Sequence, residues 1–434
     1  MNIAGSYKSM FRIPELKRRI LFTAMILLVY RLGGHIPTPG IDRNALKAFF
    51  DAQSGSLMGL YDMFSGGNLS NATVFALGIM PYISASIIFQ LLQAVVPYFE
   101  KLAKEGEAGR AKITQYTRFG TVALALIQSF SMAAGLEAMP GGIVTTPGLG
   151  FKILTAITLT AGTIFVMWLG EQITERGIGN GISLIIFIGI VARYPMDILN
   201  TGQMLVSGDM HIIKGILIAL FMIFVVAGII AITQGQRKIP VQYAKKIVGR
   251  RVFGGAASFI PLKVNTAGVI PIIFAQSIIM FPGTLGAIFP DSGFFTTMGM
   301  LFRPPHPVYV IVYSALIILF AYFYTAVILN PVDLADTMKK QSGFIPGVRP
   351  GKKTAEYIDR VLTRVTLPGA VFLAIIAILP DLMINMLNVP FYFGGTGLLI
   401  VVGVALDTLQ QIESHLVMRH YDGFMTKGRL RARR

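Results

Sequence analysis

The side chains that could do chemistry are few and scattered. Five histidines, His35, His211, His306, His415 and His420, stand near the ends of apolar runs or in the C-terminal tail. None belongs to a His-Glu-x-x-His pair, which would set two imidazoles and a general base on one helical face. A histidine at a membrane interface is ordinarily a polar anchor, so no metal is expected. Cys is absent, which excludes disulfides, thiolate nucleophiles and Cys-ligated metals. Neither a Gly-x-Ser-x-Gly elbow nor a Walker phosphate loop occurs. Gly177-Ile178-Gly179-Asn180-Gly181 imitates a nucleotide fingerprint, but it follows a charged helix end rather than a strand and reads as a helix break. Transporters and pumps mark their path with intramembrane ionisable groups. Here the candidates are Asp407 inside an apolar run and Glu171, Arg193 and Asp381 near the ends of others. No enzyme, cofactor or metal site is expected. Any path through the molecule is lined mainly by aliphatic side chains, which suits a substrate other than a small ion.

The elements that would line such a path are membrane helices. Hydrophobic residues make up 54% of the chain and charged residues 14%, and the mean hydropathy is +0.65. That composition places the chain among polytopic helical membrane proteins. Ten spans are expected, near Ile20–Ile36, Ala72–Val96, Phe119–Leu136, Phe151–Gly170, Ile182–Leu199, Ile212–Ile232, Ala267–Phe289, Pro307–Leu329, Leu367–Leu387 and Thr396–Ile412. The basic N-terminus ahead of Ile20 imitates a signal peptide. No small-residue cleavage pattern follows, so the first run reads as a retained helix. Of the 38 Lys and Arg, only Arg31, Arg43, Lys47, Lys152, Arg193, Lys214 and Arg303 fall on one side of such a layout. The side rich in Lys and Arg is cytoplasmic, and it holds both termini.

One stretch organises the rest. Leu57, Leu60, Tyr61 and Phe64 give one apolar helical face, and Gly66, Gly67 and Asn68 end it. The Leu57–Leu69 piece is roughly 20 Å long, short of a hydrocarbon core of about 30 Å. It leads straight into the uncharged run Ala72–Val96, so a segment dips into the membrane and turns. Backbone at that depth needs protein or a water-filled cavity around it. Ten spans also divide into five and five, and an odd repeat must sit inverted. Gly-x-x-Pro opens the second span (Gly78, Pro81) and the seventh (Gly268, Pro271), and glycine-rich turns precede the fifth and tenth. Helices two, five, seven and ten are thereby placed at the interface between halves. Two connections are long: Thr233–Thr266 carries seven basic and no acidic residues, and Asn330–Thr366 carries seven basic and four acidic. In the second, Pro346–Gly351 holds Arg349 at the tip of a rigid turn, a geometry suited to phosphate or carboxylate.

Eight blocks in order then resemble the SecY family of bacterial channel-forming subunits. They are FSGGN (Phe64–Asn68), FALGIMPYISASII (Phe75–Ile88), KEGEAGR (Lys104–Arg110), QYTR (Gln115–Arg118), WLGEQITERGIGNGISLIIF (Trp168–Phe187), AGVIP (Ala267–Pro271), FIPGVRPG (Phe344–Gly351) and VPFYFGGT (Val389–Thr396). The resemblance covers roughly Ile13 to Gln411. It implies an all-α polytopic membrane fold, with ten transmembrane helices in two inverted five-helix halves around a central pore and a short re-entrant plug helix.

The implied division is a cytoplasmic segment 1–19, a first half 20–200 with plug 57–69, a second half 201–413 with cytoplasmic loops 233–266 and 330–366, and a basic tail 414–434. It also implies a pore ring of Ile79, Ile83, Ile182, Ile186, Ile273 and Ile400. The plug residues would be Leu57, Leu60, Tyr61, Phe64, Ser65, Gly66, Gly67 and Asn68. Arg250, Arg251 and Arg349 would dock cytoplasmic partners. Implied partners are SecE and SecG, the motor SecA, the ribosome with its RNA, signal peptides and nascent polypeptides, and membrane lipid. The implied location is the bacterial plasma membrane. A secondary transporter, which could share inverted repeats, is the alternative; it requires buried charges and a small-ligand pocket.

Overall fold

A computed structural model describes residues 13–52, 62, 65–139, 142–208, 210–243, 246–248, 251–253, 257–288, 293–302, 306–387 and 395–427. Leu57, Leu60, Tyr61, Phe64 and Arg250 lie outside the described residues, as do residues 1–12, 389–394 and 428–434. The helices before the first strand are α1 (Pro14–Gly33), α2 (Arg43–Ala52), α3 (Met80–Val95), α4 (Pro97–Lys104), α5 (Glu107–Ala138), α6 (Leu149–Arg176), α7 (Gly181–Val191), α8 (Tyr194–Val206) and α9 (Ile212–Gln234). Strands β1 (Gln236–Tyr243), β2 (Lys246–Val248), β3 (Arg251–Phe253) and β4 (Ala257–Lys263) follow. Then come α10 (Ile270–Ile288), α11 (Gly293–Leu301), α12 (Pro307–Ile328), α13 (Pro331–Lys340), β5 (Gly343–Phe344), α14 (Lys352–Leu387) and α15 (Gly395–Lys427).

Every expected apolar run overlaps a helix, with the fifth run shared by α7 and α8. Seven described helices are long and apolar enough to cross a bilayer, or eight if α3 and α4, bent by 96° where they meet, count as one span. One run falls short of that measure: α1 carries Glu15, Lys17, Arg18, Arg19 and Arg31 among its apolar residues. Other helices outrun the apolar segments. α5 begins at Glu107 and α14 at Lys352, well before the apolar residues of each, because Ala, Glu, Lys and Arg propagate a helix into water as readily as Leu does in lipid.

The second span corrects the expected start at Ala72. Residues 66–79 form turns, and the helix begins only at Met80, with Pro81 in its first turn. Gly78 takes φ +57° just before it. The amides of Tyr82 and Ile83 both donate to the Ile79 carbonyl at 3.1 Å. The seventh run repeats this device: Gly268 takes φ +63°, and Ile272 and Ile273 donate to the Val269 carbonyl at 3.2 and 3.3 Å. Gly-x-x-Pro therefore encodes one local structure twice. The glycine supplies a left-handed residue, and the proline fits the first helical turn, where a missing N–H costs nothing.

The two long connections are not loops. β1 pairs antiparallel with β4 from Gln236↔Lys263 to Gln242↔Ala257, and with β5 at Gln242↔Phe344 and Tyr243↔Gly343. Pro240 is tolerated inside the central strand because β5 covers only Gln242 and Tyr243, leaving that side of Pro240 open. Ile239, Val241 and Leu262 point inward and pack with Met338, Ile345, Ile358 and Leu362. One small core thus unites both connections with the start of α14.

By contact the chain divides into two units. The first is Met1–Gly202, Phe281–Met300 and Val404–Arg434; the second is Gln203–Met280 and Leu301–Gly403. In the first, Leu46 and Phe50 of the amphipathic α2 pack with Leu69, Ala72, Ala76, Leu77, Leu136, Ile143 and Leu159. In the second, α12 lies against α14, and the sheet packs beside α13 and α14.

Candidate functional site

The turn at Ser65–Asn68 is built by glycine and sealed by buried polar groups. Gly66 and Gly67 take φ +74° and +81°, which a side chain resists. A Cβ on Gly66 would stand 2.7 Å from the Cα of Gly189 in α7, so two glycines let the turn touch the helix backbone to backbone. The Ser65 hydroxyl donates to the Asp62 carbonyl at 3.0 Å, and the Gly67 amide donates to the same oxygen at 2.8 Å. Asn68 donates from Nδ2 to Tyr30 Oη at 3.2 Å and also to the Ser65 carbonyl. Tyr30 Oη in turn donates to that carbonyl at 3.3 Å. Tyr30, Ser65 and Asn68 are buried, so each hydrogen bond also removes a desolvation penalty.

Two charged side chains hold this turn from neighbouring helices. Arg31 of α1 donates from Nη1 to the Gly66 carbonyl at 3.4 Å. Arg193, at the break between α7 and α8, donates from Nη1 to Asp62 Oδ2 at 3.0 Å. The other carboxylate oxygen, Oδ1, accepts the Ser70 amide at 2.8 Å. Beyond the turn, Phe75 stacks between Tyr30 and Phe165, with ring centroids 5.9 and 6.0 Å away. Its ring occupies the space where a Cβ on Gly33 would lie.

The six isoleucines are all described. Ile79, Ile83, Ile186, Ile273 and Ile400 are at most 5% exposed, and Ile182 is half-buried. Ile79 caps α3, and Ile83 lies one turn later. Ile182 and Ile186 begin α7, whose first amides, those of Ile182 and Ser183, are capped by Asn180 Oδ1 at 3.1 and 3.2 Å. The Gly177–Gly181 break ahead of them is pinned from three helices. Arg19 of α1 reaches the Gly177 carbonyl at 3.4 Å, and Thr23 Oγ1 accepts the Ile178 amide at 3.1 Å. Thr174 of α6 accepts the Gly181 amide at 2.9 Å, and Gln411 of α15 accepts the Gly179 amide at 3.0 Å. No phosphate cradle is formed, because these amides are already taken.

Arg349 is exposed at the tip of the turn after β5. Gly347 and Gly351 flank it at φ +81° and +95°, and Thr354 Oγ1 donates to its carbonyl at 2.9 Å. Arg251 opens β3 opposite Val248. Glu171 of α6 is paired with Arg118 Nε of α5 at 2.8 Å. His306 Nδ1 accepts the Val308 amide at 3.2 Å and caps α12. Among the described residues, no cluster of three His, Asp or Glu is placed to hold a metal.

The sequence did not single out Asp62, Tyr30 or Arg31 as members of this constellation. Arg193 stood out only as an ionisable residue near a span end. Their partners lie tens of residues away, and no local pattern signals them.

The SecY family model matches residues 73–409. The chain is 49% identical over 422 residues to the protein translocase subunit SecY of Escherichia coli K12, covering 96% of this chain and 95% of that one. A solved protein-conducting channel superposes with TM-score 0.65 at 18% identity, over 92% of this chain and 93% of the other. Sec61 from the canine ribosome–channel complex of the endoplasmic reticulum gives TM-score 0.61 at 18% identity, with the same coverage.

Proposed function

The chain belongs to the SecY family, and from that premise we infer that it forms the protein-conducting channel of the bacterial Sec translocon. It is a multi-pass membrane protein and a passive conduit, not an enzyme. It passes unfolded polypeptides across the membrane and releases apolar segments sideways into lipid. Membership in this family replaces the transporter alternative.

The pore ring is Ile79, Ile83, Ile182, Ile186, Ile273 and Ile400. The observation that carries it is the repeated glycine–helix device, which sets Ile83 and Ile273 at the same position of two local structures, both side chains buried. Branched apolar side chains offer no directional bonds to a passing chain, and a constriction made of them excludes water and ions by dewetting. Segment sorting then needs no energy source in this chain. At about −0.3 to −0.6 kcal/mol per strongly apolar residue, some twenty residues decide between pore and lipid.

The halves are 20–200 and 201–413, the second inverted, with lateral release between the second and seventh spans, those of α3 and α10. Residues 57–69 form the plug, and the buried turn at Ser65–Asn68 is its fixed end. Both termini face the cytoplasm, as the Lys and Arg distribution supports. The sheet-bearing module with Arg251 and Arg349, together with Arg250, which precedes Arg251 in sequence, docks the agents that drive transport: the ribosome, as in the canine Sec61 complex, and SecA. SecE clamps the halves from outside, and SecG lies at the periphery.

The test is electrical. Ile83→Ser and Ile273→Ser together, in the reconstituted complex in planar bilayers, are expected to give a standing ion leak. An intact seal accompanied by saturable uptake of small solutes would overturn the channel reading.

A further inference from the structure

We propose that the Asp62–Arg193 ion pair is the latch that keeps the resting channel shut, with Arg193 acting as a positioning residue for the plug. The proposal rests on the channel reading. The pair links the turn that ends the plug to the helix that carries Ile182 and Ile186. Arg193 stands seven residues beyond Ile186, about 10 Å along a helical path. Gly189, one turn before Arg193, is the residue against which Gly66 lies. The end of α7 and the break after it therefore hold the turn at two points, once by backbone contact and once by charge.

The two carboxylate oxygens of Asp62 have separate tasks. Oδ1 holds the turn through the Ser70 amide, and Oδ2 faces Arg193 at 3.0 Å. The burial is lopsided: the Asp62 side chain is 4% exposed and that of Arg193 41%. Among the described residues, the turn is also met by Arg31, which donates to the Gly66 carbonyl, and by the neutral Tyr30, Ser65 and Asn68, while Arg193 also faces Asp197 of α8. Arg193 is thus the cation that compensates a carboxylate held out of water. Removing it leaves a buried unpaired charge, which gains hydration if the segment leaves its seat. Removing the carboxylate charge as well takes that drive away.

The sign of the coupling is the signature. In the reconstituted complex, Arg193→Gln is expected to raise the frequency of spontaneous ion-conducting openings about tenfold, and Arg193→Lys to restore most of the closed state. Asp62→Asn keeps an oxygen for the Ser70 amide and is expected to raise openings less. The double variant Asp62→Asn/Arg193→Gln is expected to open less often than Arg193→Gln alone. Effects that simply multiply in the double variant, or Arg193→Gln openings equal to wild type, would overturn the latch. Arg193 is half exposed, so its variants are not expected to fail in folding; thermal unfolding of each variant in detergent checks this. A wild-type complex that gives no conductance even when a translocating precursor is added would sink the latch and the channel reading together. A conducting wild type with an indifferent Arg193→Gln sinks the latch alone.

Discussion

Gly66 and Gly67 are neighbours with nearly the same backbone angles, yet their surroundings differ. A Cβ on Gly66 meets the α7 backbone at 2.7 Å, whereas on Gly67 it meets only Asn71 Nδ2, at 3.8 Å. Both pay for a side chain at positive φ, about 1–2 kcal/mol. Only Gly66 must also push a helix aside, which adds about 1–3 kcal/mol. Gly66→Ala is therefore expected to lower the thermal unfolding midpoint in detergent clearly more than Gly67→Ala. Equal shifts would mean that the contact with Gly189 contributes nothing. The Asn68 network follows the same logic of buried groups. Its carboxamide serves both Tyr30 and the Ser65 carbonyl, and burial alone explains why an Asn ends the glycine pair.

At the scale of elements, the module built from both long connections is the least expected feature. Leu262 is 1% exposed and lies in a core drawn from β1, β4, the residue after β5, α13 and the start of α14. Leu262→Ala is expected to cost this module about 2–5 kcal/mol. Among the long apolar helices, α14 reaches that core through Ile358 and Leu362 near its start, so the loss should appear as faster protease cleavage between Gln236 and Lys263 while insertion is unchanged. Cleavage at the wild-type rate would show that the sheet is held by something other than its own core. The broken helix α7–α8 and the pinned turn at Gly177–Gly181 are the opposite case. Short elements there are fixed by hydrogen bonds from α1, α6 and α15, so the helix with Ile182 and Ile186 starts from a rigid base.

At the scale of the whole molecule, charge decides traffic. The net charge of +17 is gathered largely on the connections and tail, where a polyanionic or acidic partner would approach. Arg349 is exposed at a turn tip and bears no weight in the core. Arg349→Glu is expected to impair SecA- or ribosome-driven translocation while leaving the protein folded and inserted. Ribosome binding by the wild type should weaken steeply with added salt, and the variant should show a shallower slope. Normal translocation by that variant would remove the docking role.

The sequence by itself determined the membrane class, the approximate places of the apolar helices and the repeat of Gly-x-x-Pro near the starts of α3 and α10, although it set the first of those starts eight residues too early, at Ala72 rather than Met80. Those follow from residue type and short spacing: hydropathy needs only a run of about twenty side chains, and a left-handed glycine before a proline acts within one turn. Tertiary structure alone decided that Asp62 meets Arg193, that Gln411 caps a turn 232 residues earlier in the chain, and that a two-residue strand at Gly343–Phe344 completes a sheet begun at Gln236. No local preference encodes such partners. An ion pair or a short strand is stable only once packing has removed water and brought the two segments together, and that depends on the path of the whole chain.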